Sequence, residues 1–216
     1  MMDLLKKLED GGLLPIINIG DVTTAEKIAE TIHRTQCKFM EITLRDPQAL
    51  ECIQTLAAKK YDLVLGAGTV YTAEECEAAV KAGAQFIVTP CVNDEAISWC
   101  VERDIPIIPG CLTASEIYHA YSLGATYIKI FPAEVMGGAK MLKALRGPLK
   151  KLNIKFVPTG GINADNFLEY AKLDMVAAVG GSWLCSSKSV ATGDFKTIQK
   201  NIDDAMLQWK GVRESL

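Results

Sequence analysis

Eight short apolar runs recur along the chain at a nearly even pitch, and that pitch constrains the fold more than any other feature. They cover residues 13–20, 39–44, 63–70, 85–90, 105–110, 127–133, 155–162 and 175–184, with starts 26, 24, 22, 20, 22, 28 and 20 residues apart. Most are continuously apolar rather than alternating, as expected of parallel strands covered on both faces. Helix signals fill the gaps. Thr23 with Glu26, Thr72 with Glu75 and Thr113 with Glu116 have capping-box spacing, and Asn93 repeats the device. Asp46-Pro47 places a proline at a first helical position, and Gly83 and Gly124 stand where helices close. A long C-terminal helix presents Ile198, Ile202, Ala205, Met206 and Trp209. Eight strand–helix units in 216 residues predict an α/β fold, a single-domain (β/α)8 TIM barrel over residues 1–216. An extra N-terminal helix with Leu4, Leu5 and Leu8 is expected to plug its bottom. A doubly wound open sheet is the competitor, but Ile19-Gly20-Asp21 after the first run supplies no G-x-G-x-x-G.

Composition narrows the function classes. Hydrophobic residues make up 49% and charged residues 23%, which excludes a disordered chain. A net charge of −3 offers no basic field for a polyanion, so no nucleic-acid partner is expected. A small phosphorylated ligand stays compatible, because backbone N–H groups bind one phosphate without net positive charge. The cysteines (Cys37, Cys52, Cys76, Cys91, Cys100, Cys111 and Cys185) are odd in number with no C-x-x-C pair, against a disulfide framework or a thiolate zinc site. No apolar stretch approaches 18 residues and no signal segment is visible, so the expectation is a reduced, cytoplasmic protein without a membrane partner.

The informative residues are those that break the strand pattern. Glu41, Thr43 and Arg45 share parity in the second run, as Tyr127, Lys129 and Phe131 do in the sixth. A carboxylate and an ammonium inside parallel strands are costly unless paired or neutralised. A buried Glu–Lys ion pair fixing register is one reading, with weak energetic support. The other is chemical: burial disfavours an ammonium, a neutral amine attacks carbonyl carbon to form a Schiff base, and a nearby carboxyl group moves protons. Gly160-Gly161 and Gly180-Gly181-Ser182 end the seventh and eighth runs, where such barrels bind phosphate. Gly68 and Thr69 end the third, where Thr69 offers a hydroxyl to a carboxylate. The only histidines, His33 and His119, fall in helical segments, so no metal site is expected. Cys91 and Cys111 follow strand ends and read as packed thiols rather than nucleophiles.

Six motifs in chain order then carry a resemblance over nearly the whole chain: Glu41-Ile42-Thr43-Leu44-Arg45, Gly66-Ala67-Gly68-Thr69-Val70, Ile107-Ile108-Pro109-Gly110, Lys129-Ile130-Phe131-Pro132-Ala133-Glu134, Pro158-Thr159-Gly160-Gly161-Ile162 and Gly180-Gly181-Ser182-Trp183-Leu184. With them the chain resembles the bacterial 2-keto-3-deoxy-6-phosphogluconate and 4-hydroxy-2-oxoglutarate aldolases, Schiff-base lyases of class I. The resemblance implies Lys129 as the Schiff-base lysine and Glu41 as general acid/base. It implies that Arg45 and Thr69 hold the substrate carboxylate, that Gly160, Gly161 and Ser182 hold the phosphate, and that Pro90, Phe131 and Thr159 line the pocket. It further implies a 2-keto acid phosphosugar as substrate, a homotrimer, and no metal or organic cofactor. Three positions depart from the family pattern: Asn18 and Asp21, where the family usually has an apolar end to the first strand and often a basic residue nearby, and Cys91 after Thr89-Pro90. Thr89-Pro90-Cys91 and Pro109-Gly110-Cys111 look closer to the sister aldolases for 2-keto-3-deoxy-6-phosphogalactonate. A phosphosugar epimerase or isomerase using Glu41 without a Schiff base, and a non-catalytic phosphosugar-binding protein, are the alternatives from other classes.

Overall fold

The computed structural model describes residues 2–59 and 61–216. Helix α1 (Met2–Gly11) precedes β1 (Leu13–Ile17), α2 (Val22–His33), β2 (Phe39–Thr43), α3 (Ala49–Ala58), β3 (Val64–Gly68), α4 (Ala73–Ala82), β4 (Phe86–Val88) and α5 (Asp94–Glu102). Then come β5 (Ile107–Ile108), β6 (Gly110–Cys111), α6 (Ala114–Ser122), β7 (Tyr127–Ile130), a 3-10 turn (Glu134–Met136), α7 (Gly138–Leu149), β8 (Lys155–Pro158), α8 (Phe167–Ala171), β9 (Val179–Gly181), α9 (Ser187–Ala191) and α10 (Phe195–Arg213). The fold is a parallel α/β architecture, as the uninterrupted apolar runs require.

The strands form two sheets, ordered β5-β4-β3-β2-β1-β9 and β6-β7-β8. The expected fifth strand is split: Pro109, which has no N–H to give a ladder, separates β5 from β6. Among the described residues nine short strands therefore stand where eight were expected. Isolated parallel bridges join Phe156 to Val176 and Thr159 to Gly180, linking the end of β8 to the β9 segment.

Two apolar layers hold these elements. The larger lies between strands and helices and contains Ile28, Ile53, Ile97, Ile117, Leu142 and Trp209. The second gathers Leu14, Phe39, Phe86, Val88, Ile108, Tyr127 and Val157, drawn from both sheets, around Leu5 and Leu8 of α1. Helix α1 thus fills the inner cluster as expected, with Leu4 only partly buried at its margin. Glu9 latches it, accepting from the Tyr127 hydroxyl at 3.2 Å and from Lys155 Nζ at 2.9 Å.

Capping confirms some expectations and corrects others. Thr72 and Thr113 close capping boxes with Glu75 and Glu116, and Asn93 caps α5. The cap of α2 is Asp21 rather than Thr23: its carboxylate accepts from Thr24 N–H at 2.7 Å. An aspartate accepts well from a first-turn amide while its charge favours the positive end of the helix dipole. Asp46 accepts from Gln48 N–H at 3.0 Å, so Pro47 lies in a turn and α3 begins only at Ala49. Leu8→Ala is expected to lower unfolding free energy by about 2–5 kcal/mol through loss of inner packing, and Leu4→Ala by clearly less; urea denaturation of both variants checks this ordering.

Candidate active site

Strand order and register bring the pattern-breaking residues into one cavity of about 330 Å³ at the C-terminal ends of the strands. All ten residues singled out from the sequence line it: Glu41, Arg45, Thr69, Pro90, Lys129, Phe131, Thr159, Gly160, Gly161 and Ser182. Gly180 and Gly181, marked in the sequence as part of the phosphate-binding glycine cluster, line it too, whereas Ile16, Thr43, Tyr71 and Ile162 were given no role there and also line it. Thr43 carried a signal in its parity with Glu41, and Tyr71 in its spacing of two from Thr69. Ile16 and Ile162 are apolar residues in apolar runs and carried none.

Glu41 sits inside β2, with Ile16 of β1 and Gly66 of β3 as its lateral neighbours. It is 1% exposed, and neither carboxyl oxygen has a hydrogen-bond partner. The ion pair that would make this residue a register device is therefore not formed. Burial pushes the carboxyl pKa up, and the fields of Lys129 and then Arg45 offset that only in part. The room for the carboxyl comes from Gly68, where a Cβ would stand 1.9 Å from Glu41 Oε1. No side chain larger than hydrogen fits there while Glu41 keeps its place.

Lys129 lies in β7 between Gly110 of β6 and Val157 of β8. It is 6% exposed, and its Nζ stands 5.1 Å from the centroid of the Phe131 ring. The aromatic face supplies an electron-rich wall without a fixed negative charge. Thr69 turns the chain at the end of β3 with φ of 60°, a strained conformation for a β-branched residue that holds its hydroxyl at the cavity wall. Arg45 lies at the exposed rim beyond Thr43.

At the other end the glycines open the wall. Gly160 and Gly161 have φ of 95° and 80°, and a Cβ on Gly161 would meet Glu134 Cβ at 2.6 Å. The loop is pinned from below, with Ala133 N–H donating to Thr159 O at 2.8 Å and Glu134 N–H to Gly160 O at 3.1 Å. Among the described residues, neither Gly161 N–H nor Ser182 N–H donates to a protein backbone acceptor. Such donors facing a cavity suit an anion.

The other candidate chemistries do not gather here. His33 accepts from Asp62 N–H, and His119 stands 2.8 Å from Asp94; neither lines the cavity. Burial, then the charge of Glu116, pushes the Cys111 thiol up to about 12, which makes it a poor nucleophile. Among the described residues, no group of three or more His, Cys, Asp or Glu is placed to hold a metal ion. No helix among them is long and apolar enough to cross a membrane.

The raised Glu41 pKa has a signed consequence for stability. Above the ordinary carboxylate range the unfolded chain ionises while the folded chain keeps its proton, so stability falls as pH rises toward the folded value. Relative to Glu41→Gln, which does not titrate, the native chain is expected to lose about 1.4 kcal/mol per pH unit across that window. Denaturation of both proteins from pH 4 upward checks this.

Comparison with known proteins adds an independent line. A family model described as KDPG and KHG aldolase matches residues 4–201. The 2-dehydro-3-deoxy-phosphogluconate aldolase of Treponema pallidum is 38% identical over 198 residues, 92% of this chain and 93% of that protein. The KHG/KDPG aldolase of Escherichia coli is 33% identical, with 92% of each chain covered. A crystal structure of KDPG aldolase from Legionella pneumophila, with pyruvate captured as a covalent carbinolamine intermediate, superposes with a TM-score of 0.87. It is 33% identical and the match covers 93% of this chain and 97% of that one.

Proposed function

The chain belongs to the KDPG and KHG aldolase family, and we propose that it is a class I aldolase. Its substrate on this reading is 2-dehydro-3-deoxy-6-phosphogluconate or 4-hydroxy-2-oxoglutarate, cleaved to pyruvate plus glyceraldehyde 3-phosphate or glyoxylate. The observation that carries the proposal is the pairing, in one cavity, of a buried lysine with a buried carboxyl group that has no hydrogen-bond partner. No structural role accounts for that cost, whereas lysine Schiff-base chemistry uses both groups.

In this mechanism neutral Lys129 attacks the C2 carbonyl, and loss of water gives an iminium. Protonated Glu41 supplies the proton that lets the carbinolamine hydroxyl leave. The resulting carboxylate then takes the C4 hydroxyl proton through a water. The C3–C4 bond breaks, its electrons flow into the iminium, and the aldehyde departs. Protonation of the enamine at C3 and hydrolysis release pyruvate and restore Lys129. A guanidinium at Arg45 matches the planar carboxylate with parallel hydrogen bonds, beside the Thr69 hydroxyl. Gly160, Gly161 and Ser182 take the phosphate, and Pro90, Phe131 and Thr159 wall the reacting carbons.

The same reading treats the two sheets as one closed (β/α)8 barrel and residues 1–216 as one domain. Three features support it: the break between β5 and β6 falls at a proline, the two isolated bridges join β8 to the β9 segment, and the inner cluster draws on both sheets. A cytoplasmic homotrimer acting in carbohydrate breakdown of the Entner–Doudoroff type completes the proposal.

Sodium borohydride with pyruvate, followed by peptide mass mapping, is expected to find a reduced pyruvyl adduct on Lys129. Lys129→Met should abolish the adduct and lower turnover more than about a thousandfold. Inertness to borohydride would favour an epimerase or isomerase instead. Because the iminium serves as electron sink, activity is expected to survive exhaustive EDTA treatment. A coupled assay should give the fastest turnover with the gluconate-derived 6-phosphate. Faster turnover of the galactonate-derived 6-phosphate would reassign the C4 configuration, in line with Thr89-Pro90-Cys91 and Pro109-Gly110-Cys111.

A further inference from the structure

Asn18 is a residue to which neither the fold nor the reaction has so far given a part. It follows β1 directly and is exposed. The β1–β2 register pairs Ile16 with Glu41 and Ile17 with Ile42, so the next step brings Asn18 beside Thr43. The side chains meet there. Thr43 Oγ1 donates to Asn18 Oδ1 at 3.0 Å, and Arg45 Nε donates to Thr43 Oγ1 at 3.3 Å.

The direction of this chain of bonds is fixed by chemistry. Arginine Nε–H can only donate, so the Thr43 oxygen must accept from it. The single Thr43 hydroxyl hydrogen then has two acceptors within reach, Asn18 Oδ1 at 3.0 Å and Ile17 O at 3.4 Å. The shorter is the asparagine. An apolar residue at position 18 would leave only the longer bond and let the hydroxyl swing away from Arg45. With Nε occupied, the guanidinium presents its terminal nitrogens, which donate to no protein acceptor among the described hydrogen bonds.

We propose that Asn18 is a positioning residue which, through the Thr43 hydroxyl, sets the plane of the Arg45 guanidinium so that its two terminal nitrogens meet the 2-keto acid carboxylate end-on. The link from Asn18 to Arg45 stands on the contacts alone; its service to a carboxylate rests on the aldolase reading. A planar fork held in one orientation loses less freedom on binding than a mobile one, so the effect falls on binding of the keto-acid half rather than on bond cleavage.

Asn18→Leu removes the acceptor at similar size, and Asn18→Asp keeps it. The first readout is the water-exchange rate of the Arg45 Nε–H resonance in ¹⁵N–¹H spectra, assigned by its loss in Arg45→Lys. Exchange should speed up about three- to tenfold in Asn18→Leu, the range of one hydrogen bond, and return to the native rate or slower in Asn18→Asp. Equal exchange in Asn18→Leu and the native protein, or no recovery in Asn18→Asp, overturns the link. The second readout is the pyruvate concentration giving half-maximal borohydride trapping. It should rise about three- to tenfold in Asn18→Leu with the maximal trapping rate unchanged, and recover in Asn18→Asp. Faster exchange with unchanged half-saturation overturns the assignment to the carboxylate. If the native protein traps no pyruvate, the aldolase reading fails, and the exchange rates still decide whether Asn18 holds Arg45.

Discussion

Glu41 is withdrawn from water without a partner for either carboxyl oxygen, and the neighbouring structure is arranged around that single cost. An unsatisfied buried polar group costs about 1–3 kcal/mol, and an ionised one far more. Burial pushes the carboxyl pKa up and so favours its neutral form. Strands β1 and β3 clamp β2 on both sides, Gly68 vacates the volume the carboxyl occupies, and the inner apolar cluster excludes water from below. Lys129 and Arg45 are near enough to pull the pKa down but do not outweigh burial. A buried carboxyl group with a raised pKa can give a proton and take one back, as the proposed mechanism asks of Glu41.

Much of this arrangement is written in the chain because charge inside an apolar run is a local signal. Glu41 and Lys129 are visible as violations of strand composition, and the paired glycines stand out at strand ends. The helix caps show where local rules compete. Thr23 has the spacing of a cap, but Asp21 lies at the residue where the chain turns into the helix and brings a full charge to the same task. Pro47 has the look of a first helical residue, yet Asp46 spends its carboxylate on Gln48 N–H and delays the helix. Pro109 is legible as a residue without an N–H, but that it divides one strand into two depends on which neighbours needed the missing bond.

The less legible parts are those that exist only across space. Ile16 looks like any strand residue, and its place on the cavity wall follows from its height along β1; Ile162 lies four residues beyond β8, and the loop brings it to the wall. Tyr71 stands three residues beyond β3 and reaches the cavity because Thr69 bends the chain. Asn18 was visible as a departure, whereas its contact with Thr43 needs the β1–β2 register. Pattern identifies the groups that do chemistry more readily than the groups that aim them, since aiming is a relation between strands.

The Glu9 latch of α1 also orders events in time. Its partners, Tyr127 and Lys155, lie 118 and 146 residues further along the chain. The helix made first therefore finds the partners of Glu9 only once β7 and β8 are present. Until then the inner cluster around Leu5 and Leu8 lacks Tyr127 and Val157, and the helix lacks both partners of Glu9. Docking of α1 is a closing step with a large loop entropy to overcome. The latch ties α1 to β7, the strand that also bears Lys129, so the first helix and the lysine's strand are held by one contact.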